Sequence, residues 1–299
     1  MPVEFLTDAQ RARYGRFTGE PTPEEFAGYF HLDDTDREVV ARHRSAHNRL
    51  GFAVQLCTAR FLGTFLEDLT VVPAGVLAVL AWQLDIAQAE CFTEYATGQT
   101  RWEHTTEIRQ LYGYRDFSDG AAQFPLNRWL YALCWTGTDR PGVLFDRATV
   151  WLITHKVLLP GVTVLERHVA HLRTRVQERL WTLLSRGLSP TVKTQLETLL
   201  TVPEGGPLSL LDRLRNGPFR RSAPELVRAL RRVEEVRTLG LPQIVSQRVP
   251  PTRLHALARL AMTAKADTLQ RFSEPRRLAT LVAFATTLEA VALDDALDL

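Results

Sequence analysis

Residues 163–180 read Thr-Val-Leu-Glu-Arg-His-Val-Ala-His-Leu-Arg-Thr-Arg-Val-Gln-Glu-Arg-Leu, and their spacing indicates the fold class. The apolar residues are four, three, four and four positions apart, which is the pattern of one buried α-helical face. They are Leu165, Val169, Leu172, Val176 and Leu180. Before them, Pro160 and Gly161 break the chain, and Thr163 with Glu166 matches a capping box. We therefore predict a helix over 142–157, a turn at 158–161 and a second helix that Thr163 caps.

The polar side of the second helix is basic. His168, His171, Arg175 and Arg179 follow one flank at steps of three, four and four, while Arg167 faces fully outward. A basic helix entered through a turn is a common DNA-reading element, in which the early residues lie nearest the base edges. The alternative is a solvated polar face of a bundle helix, since Glu166 and Glu178 share the surface.

Helical patterns extend over the rest of the chain. Potential capping boxes begin at Thr7, Thr22, Thr100 and Ser222, and a second helical apolar stripe begins at Leu50. No run alternates in the way that a strand requires. The sequence therefore predicts an all-α fold of tandem small helical bundles with helix-turn-helix-like DNA-binding units.

Four modules are predicted along the chain. Residues 1–86 form a first helical DNA-binding module, and 87–136 form a second helical module. Residues 137–202 contain the helix-turn-helix candidate. A Pro- and Gly-rich linker follows, and residues 203–299 form a basic helical region that leads towards a dimerisation or catalytic part.

Charge is distributed unevenly, although the formal net charge is only +2. Residues 151–277 hold 22 Lys and Arg against 10 Asp and Glu, whereas the remainder holds 14 against 24. Nearly all the cations are arginine, whose planar fork makes bidentate bonds to phosphates and guanine edges. A high-GC genome explains much of the arginine preference, but it explains the segregation less well.

Composition excludes several classes of protein. No stretch approaches the roughly 18 apolar residues of a membrane helix, and the N-terminus lacks the features of a signal peptide. Three scattered cysteines form neither a disulfide framework nor a C-x-x-C pair. We expect a reduced cytoplasmic protein without membrane attachment.

Two further basic segments are candidates for nucleic-acid contact. In 100–115, arginines surround a short helix with Trp102, Ile108 and Leu111 available for packing, but acids nearly balance the charge. The run 213–221 is more typical of phosphate contact from a loop than of base reading.

Enzymatic chemistry is not indicated. His43 and His47 have metal-ligand spacing, but a zincin glutamate is missing, and a solvated helical face is the favoured interpretation. We find no phosphate-binding glycine loop, no nucleophile elbow and no two-metal acid set. We therefore predict neither a catalytic nor a metal site, and no cofactor.

Several longer motifs carry a family resemblance. The chain resembles transposases of the Tn-three family, the large replicative bacterial transposases, in order over essentially its whole length. The motifs are 7–17, 48–57, 60–65, 101–104 with 112–115, 138–167 and 278–299.

The resemblance implies a function. In that family a helical N-terminal region binds the terminal inverted repeats of the transposon, and a separate Asp/Asp/Glu domain cuts DNA with Mg²⁺. We therefore expect double-stranded DNA as the partner and end recognition without catalysis. A homodimer or an association with full-length transposase is a further expectation, and a helical interaction or regulatory fragment is the alternative function.

The candidate DNA-contacting residues are basic side chains from the segments and motifs above. They are Arg49, Arg101, Arg109, Arg115, Lys156, Arg167, His168, Arg173, Arg175, Arg179, Arg220 and Arg221.

Overall fold

The computed structural model describes residues 4–217, 222–239 and 249–298. Over those residues the secondary structure is α-helical apart from two short 3₁₀ turns, and the only pairing of strand type is an isolated bridge between Arg115 and Val157. The predicted all-α class is confirmed.

The chain groups into two compact units. The first consists of residues 1–130 and 140–170, and the second of residues 131–139 and 171–299. The helices wholly or partly in the first unit are α1 (Asp8–Arg13), α2 (Pro23–Tyr29), α3 (Asp34–Ala41), α4 (Ala46–Leu62), α5 (Ala74–Gln83), α6 (Phe92–Thr97), α7 (Thr100–Tyr112), α8 (Gly120–Thr136), α9 (Pro141–Thr154) and α10 (Val162–Ser185). The later helices are α11 (Pro190–Thr198), α12 (Leu210–Arg215), α13 (Ala223–Arg237), α14 (Pro251–Thr263), α15 (Ala266–Gln270) and α16 (Glu274–Leu297). This division is coarser than the four predicted modules.

Helix α4 is the centre of the first unit. Every residue from Leu50 to Ala59 is buried, because α2, α3, α5, α6, α7 and α9 pack around it. Gly51 permits close approach of a ring, since a Cβ there would lie 2.3 Å from the side chain of Tyr95. The predicted stripe from Leu50 is therefore one side of a helix that is enclosed on all sides.

Helix α16 has the same role in the second unit. Its residues 278–285 are all buried, and α11, α13 and α14 pack against it. The side chains on the predicted inner face of α10 are also buried, and those of Leu180 and Leu184 join the core of this unit.

A buried ion pair links α3, α4 and α7 in the first unit. Arg60 donates to both carboxylate oxygens of Asp36, with Nη1–Oδ2 at 2.8 Å and Nη2–Oδ1 at 2.7 Å. The hydroxyl of Tyr112 donates to Oδ1 at 2.9 Å. Since the Asp36 carboxylate is otherwise removed from water, these bonds fix the register of the three helices.

Three of the predicted helix starts are confirmed. The side chains of Thr7, Thr22 and Ser222 each accept from the backbone amide three residues later, and the first two complete reciprocal capping boxes. Two predicted caps are wrong. Gln99 precedes α7, and the hydroxyl of Thr100 instead donates to Oδ1 of Asn48 at 3.2 Å.

The second wrong cap is Thr163, because α10 begins at Val162. The amides of Val164 and Leu165 donate to the carbonyl of Gly161, which therefore occupies the capping position. The preceding helix α9 ends at Thr154, so residues 155–161 form a longer and more extended connection than a three- or four-residue turn. The helix-turn-helix description stays a prediction.

The inner face of α9 differs in part from the one that the sequence predicts. Apolar spacing places Val143, Leu144, Val150, Trp151, Ile153 and Leu158 inward. Leu144 and Leu158 are buried as predicted, but Val143 and Val150 are exposed. Phe145, Ala148 and Leu152 are buried as well, because apolar residues occur on more than one side of this segment.

Glu166 is buried instead of sharing the surface of α10. Its Oε1 accepts from the backbone amides of Phe5 at 2.8 Å and Leu6 at 3.2 Å, and Arg11 donates to both carboxylate oxygens at 3.4 Å. The carboxylate thus fastens the segment before α1 to the first unit.

Replacing Glu166 with alanine is expected to destabilise the protein by about 1–3 kcal/mol, because two buried amides and a guanidinium lose their acceptor. Urea unfolding followed by circular dichroism measures the change. Glu178→Ala, an exposed glutamate of the same helix, is the control and is expected to change stability by less than about 0.5 kcal/mol. Equal losses in the two variants would contradict the role given to Glu166.

Candidate nucleic-acid interface

Three arginines of α10 are exposed to solvent. Arg167 lies on the part of the helix in the first unit, and Arg175 and Arg179 lie on the part in the second. Among the described residues, none of the three takes part in an ion pair with a carboxylate. These side chains are therefore available to an anionic ligand.

The histidines of α10 behave differently from each other. His171 is exposed, whereas His168 is half-buried and its Nε2 lies 2.6 Å from Oδ1 of Asn127. The edge of Phe117 also packs against its ring at 5.4 Å between centroids. His168 therefore holds α8 and α10 together within the first unit.

A groove of about 730 Å³ lies beside α7 in the first unit. We call it the Trp102 groove, and its walls include Gln55, Phe65, Arg101, Trp102, Arg109 and Asp116. The indole of Trp102 is 64% exposed, so the packing role predicted for it is wrong, and Leu111 is exposed as well. Ile108, the third predicted packing residue, is fully buried as expected.

Both arginines of the Trp102 groove lie over aromatic rings. The guanidinium carbon of Arg101 is 5.0 Å from the ring centroid of Trp102, and that of Arg109 is 5.6 Å from Phe65. Arg101 donates to the carbonyl of Glu67 at 3.1 Å, and Arg109 lies 3.5 Å from the carboxylate of Asp116. Both arginines are therefore held by cation–π contact and by hydrogen bonds.

A second groove of about 610 Å³ shares the loop Thr64–Glu67 with the first, and Arg11 and Arg16 line it. Arg16 is exposed and was not predicted as a site residue. Its position in the motif 7–17 was the one available signal, because residue type alone does not separate it from the neighbouring surface arginines.

Two candidates are joined through the backbone near the end of α7. The amide of Arg115 donates to the carbonyl of Lys156 at 2.9 Å, and the amide of Leu158 donates to the carbonyl of Arg115 at 2.9 Å. The ammonium of Lys156 donates to the carbonyl of Tyr112 at 3.2 Å. Both side chains are exposed, so the connection 155–161 brings two cations to one edge of the first unit.

The remaining described candidates are partly enclosed. Arg49 on α4 is half-buried, and its Nε has no hydrogen-bond partner among the described residues. Arg173 on α10 is half-buried in the second unit, and burial, with a smaller contribution from the charge of Arg173, lowers the pKa of Arg253. These two side chains are less accessible than Arg175 and Arg179.

Part of the basic region is neutralised inside the second unit. Arg213 lies 3.4 Å from Glu235, and Arg215 lies 2.7 Å from Asp212 and also donates to the carbonyls of Ala261 and Ala264. Helix α16 supplies two more carboxylates. Asp295 lies 2.5 Å from Arg232 and Glu289 lies 3.2 Å from Arg237. Arg220 and Arg221, the other predicted contacts of this run, lie outside the described residues.

The suspected histidine pair does not share a helix. His43 lies between α3 and α4, where its ring packs on His104 at 4.4 Å, whereas His47 lies 3.0 Å from Glu94. Burial, and secondarily the nearby His43, lowers the pKa of His104 to about 4, so this ring is neutral at pH 7. Within the described parts of the chain, no cluster of three or more potential ligands suits a metal ion.

No described helix combines the length and apolar character that crossing a bilayer requires.

Comparison with known proteins places the chain among transposition proteins. A family model described as "Domain of unknown function (DUF4158)" matches residues 5–172. The transposase for transposon gamma-delta of Escherichia coli K12 is 43% identical over 299 residues, which is 100% of this chain and 30% of the relative. The transposase for transposon Tn1546 of Enterococcus faecium is 26% identical over 99% of this chain and 30% of its own length.

A shorter match is closer in sequence. The transposase for transposon Tn4556 of Streptomyces fradiae is 50% identical over 99 residues, covering 33% of this chain and 11% of the relative. The chain thus spans about 30% of the length of the full-length relatives it matches, and the match lies in their N-terminal part.

Proposed function

Because this chain belongs to the DUF4158 family and is homologous to the N-terminal part of Tn-three family transposases, we propose that it binds DNA at the terminal inverted repeats of its transposon. In this proposal the chain recognises the transposon ends. Strand cleavage and transfer, with the Mg²⁺ that they need, are assigned to another part of the transposase.

The exposed flank of α10 is the observation that carries this proposal. Arg175 and Arg179 lie one helical turn apart in the second unit, and no described carboxylate neutralises them. Arginines at that spacing suit successive contacts to a phosphate backbone, which supply affinity and position without reading sequence. In the first unit, Arg115, Lys156 and Arg167 add exposed cations of the same kind.

The proposal predicts a specific change in salt dependence. Replacing Arg175 and Arg179 together with glutamine is expected to weaken duplex binding. It is also expected to lower the slope of log K against log salt by about 0.9 for each phosphate that the variant no longer neutralises. Fluorescence anisotropy with a labelled inverted-repeat duplex at several salt concentrations measures both quantities.

The matched control is Glu178→Gln, which changes an exposed charge on the same helix. Removing this negative charge is expected to leave the slope unchanged. A slope for the double arginine variant equal to that of the wild-type protein would remove α10 from the DNA interface.

A further inference from the structure

The Trp102 groove combines features that point to a ligand other than a DNA duplex. Its volume of about 730 Å³ lies in the range of small-ligand sites, which suits one or two nucleotides and not the width of a double helix. The groove lies entirely within the first unit and within the segment that the family model matches.

The charge of the groove is balanced. Two acidic residues, Glu67 and Asp116, line the same walls as Arg101 and Arg109, and Arg109 lies 3.5 Å from the carboxylate of Asp116. A surface that binds many phosphates requires an excess of cations, whereas this groove offers aromatic rings with one guanidinium over each. A mostly uncharged, planar ligand with one adjacent phosphate fits this arrangement.

The exposed indole supplies the stacking surface. Trp102 keeps 64% of its surface in contact with solvent although Arg101 lies over its ring. Stacking of a base on an aromatic side chain tolerates any sequence, because every base has a π-face.

A buried acceptor without a partner provides an independent indication. Gln55 also lines the groove and is only 1% exposed, yet its Oε1 accepts no hydrogen bond from any described group. An unsatisfied buried amide oxygen costs stability unless a ligand donates to it. The amino and imino N–H groups on the pairing edges of bases are donors of the required kind.

We propose that the Trp102 groove holds an unpaired DNA base, stacked on the indole of Trp102 and donating to Oε1 of Gln55. This inference rests on the proposed function, because it adds an unpaired nucleotide to the DNA that the chain recognises. Arg101 then contacts the phosphate adjacent to that nucleotide.

The test compares two labelled probes by fluorescence anisotropy. One is the fully paired inverted-repeat duplex, and the other is an oligothymidylate of about eight nucleotides, whose bases are unpaired and carry an imino N–H. The variant Trp102→Ala is expected to weaken oligothymidylate binding by about tenfold, within the range of one stacking contact, and to change duplex binding by less than twofold.

Three further variants sharpen the comparison. Trp102→Phe is expected to retain most of the oligothymidylate affinity, and Gln55→Leu is expected to reduce it while removing the unsatisfied oxygen. Trp82→Ala is the matched control, because Trp82 is 80% exposed in the same unit but does not line the groove. It is expected to leave both affinities unchanged.

The outcomes separate the two proposals. Duplex binding by the wild-type protein without oligothymidylate binding, or equal effects of Trp102→Ala and Trp82→Ala, would overturn the base-binding site and leave repeat recognition intact. If Trp102→Ala weakens oligothymidylate binding and Trp82→Ala does not, the base-binding site is supported. This holds even if the wild-type protein does not prefer the inverted repeat over scrambled DNA.

Discussion

Replacing Arg60 with alanine is expected to destabilise the protein by about 3–5 kcal/mol, because it leaves the carboxylate of Asp36 buried without its counter-charge. Asp36 is 1% exposed, and Arg60 satisfies both of its oxygens. Tyr112 and the backbone amide of Asp33 also donate to the carboxylate, but these bonds do not neutralise the charge. Urea unfolding followed by circular dichroism measures the loss.

The matched control is Arg13→Ala. Arg13 lies 3.6 Å from Asp146, but both side chains are about half exposed, so the pair is expected to contribute less than about 1 kcal/mol. If the two variants lost the same stability, the ion pair of Asp36 would have no special role in fixing α3, α4 and α7.

The same pair gives a pH dependence with a definite sign. Burial raises the pKa of Asp36, but the hydrogen bonds and charge of Arg60 outweigh it and hold the pKa below the ordinary value of 3.8. A carboxyl whose pKa is lower in the folded state contributes stability above its unfolded pKa and loses it as pH falls through the folded value. The wild-type protein is therefore expected to lose this contribution below about pH 4. In Arg60→Ala the bonds and charge of the guanidinium are lost, while burial and the hydrogen bonds from Tyr112 and the backbone amide of Asp33 remain. Acidification through pH 4 is therefore expected to reduce the difference between the two proteins.

Helical periodicity predicted the architecture well, because it depends on local spacing. The inner face of α10 and the caps at Thr7, Thr22 and Ser222 are present as the sequence indicates. The same reasoning did not distinguish α4 and α16 as the central helices. Their enclosure on every side depends on which other helices pack against them.

The wrong caps have one physical cause. A hydroxyl three residues before a glutamate can close a capping box, but a tertiary partner competes for the same groups. Asn48 takes the hydroxyl of Thr100, and the amides of Phe5 and Leu6 take the carboxylate of Glu166. These partners are about 50 and 160 positions away, so local spacing does not reveal them.

The candidate site was predictable only in part. Residue type and helical phase placed Arg175 and Arg179 on an exposed flank, and the structure agrees. The sequence did not reveal that Trp102 is exposed, because a tryptophan next to a helical apolar stripe is usually a packing residue. The sequence also overstated how many cations of 151–277 are available to DNA. Asp295 and Glu289, which follow that region in the chain, neutralise arginines of α13.

Preference for the transposon end is the largest effect that the proposed function predicts. Non-specific binding comes mainly from phosphate contacts, which scrambled DNA offers equally. Contacts to base edges and to sequence-dependent shape add the discrimination, and specific complexes are typically at least 10³-fold tighter than non-specific ones. We expect a ratio of this order for the inverted repeat of the element that encodes the chain, because the proposed function is recognition of that repeat.

Competition binding at physiological salt tests that claim most directly. The labelled inverted repeat is bound by the wild-type protein and then challenged with unlabelled repeat or with unlabelled duplex of the same composition in scrambled order. We predict that the scrambled competitor must be about 10³-fold more concentrated than the repeat to release half of the label. Release at equal concentrations of the two competitors would contradict recognition of the transposon end by this chain.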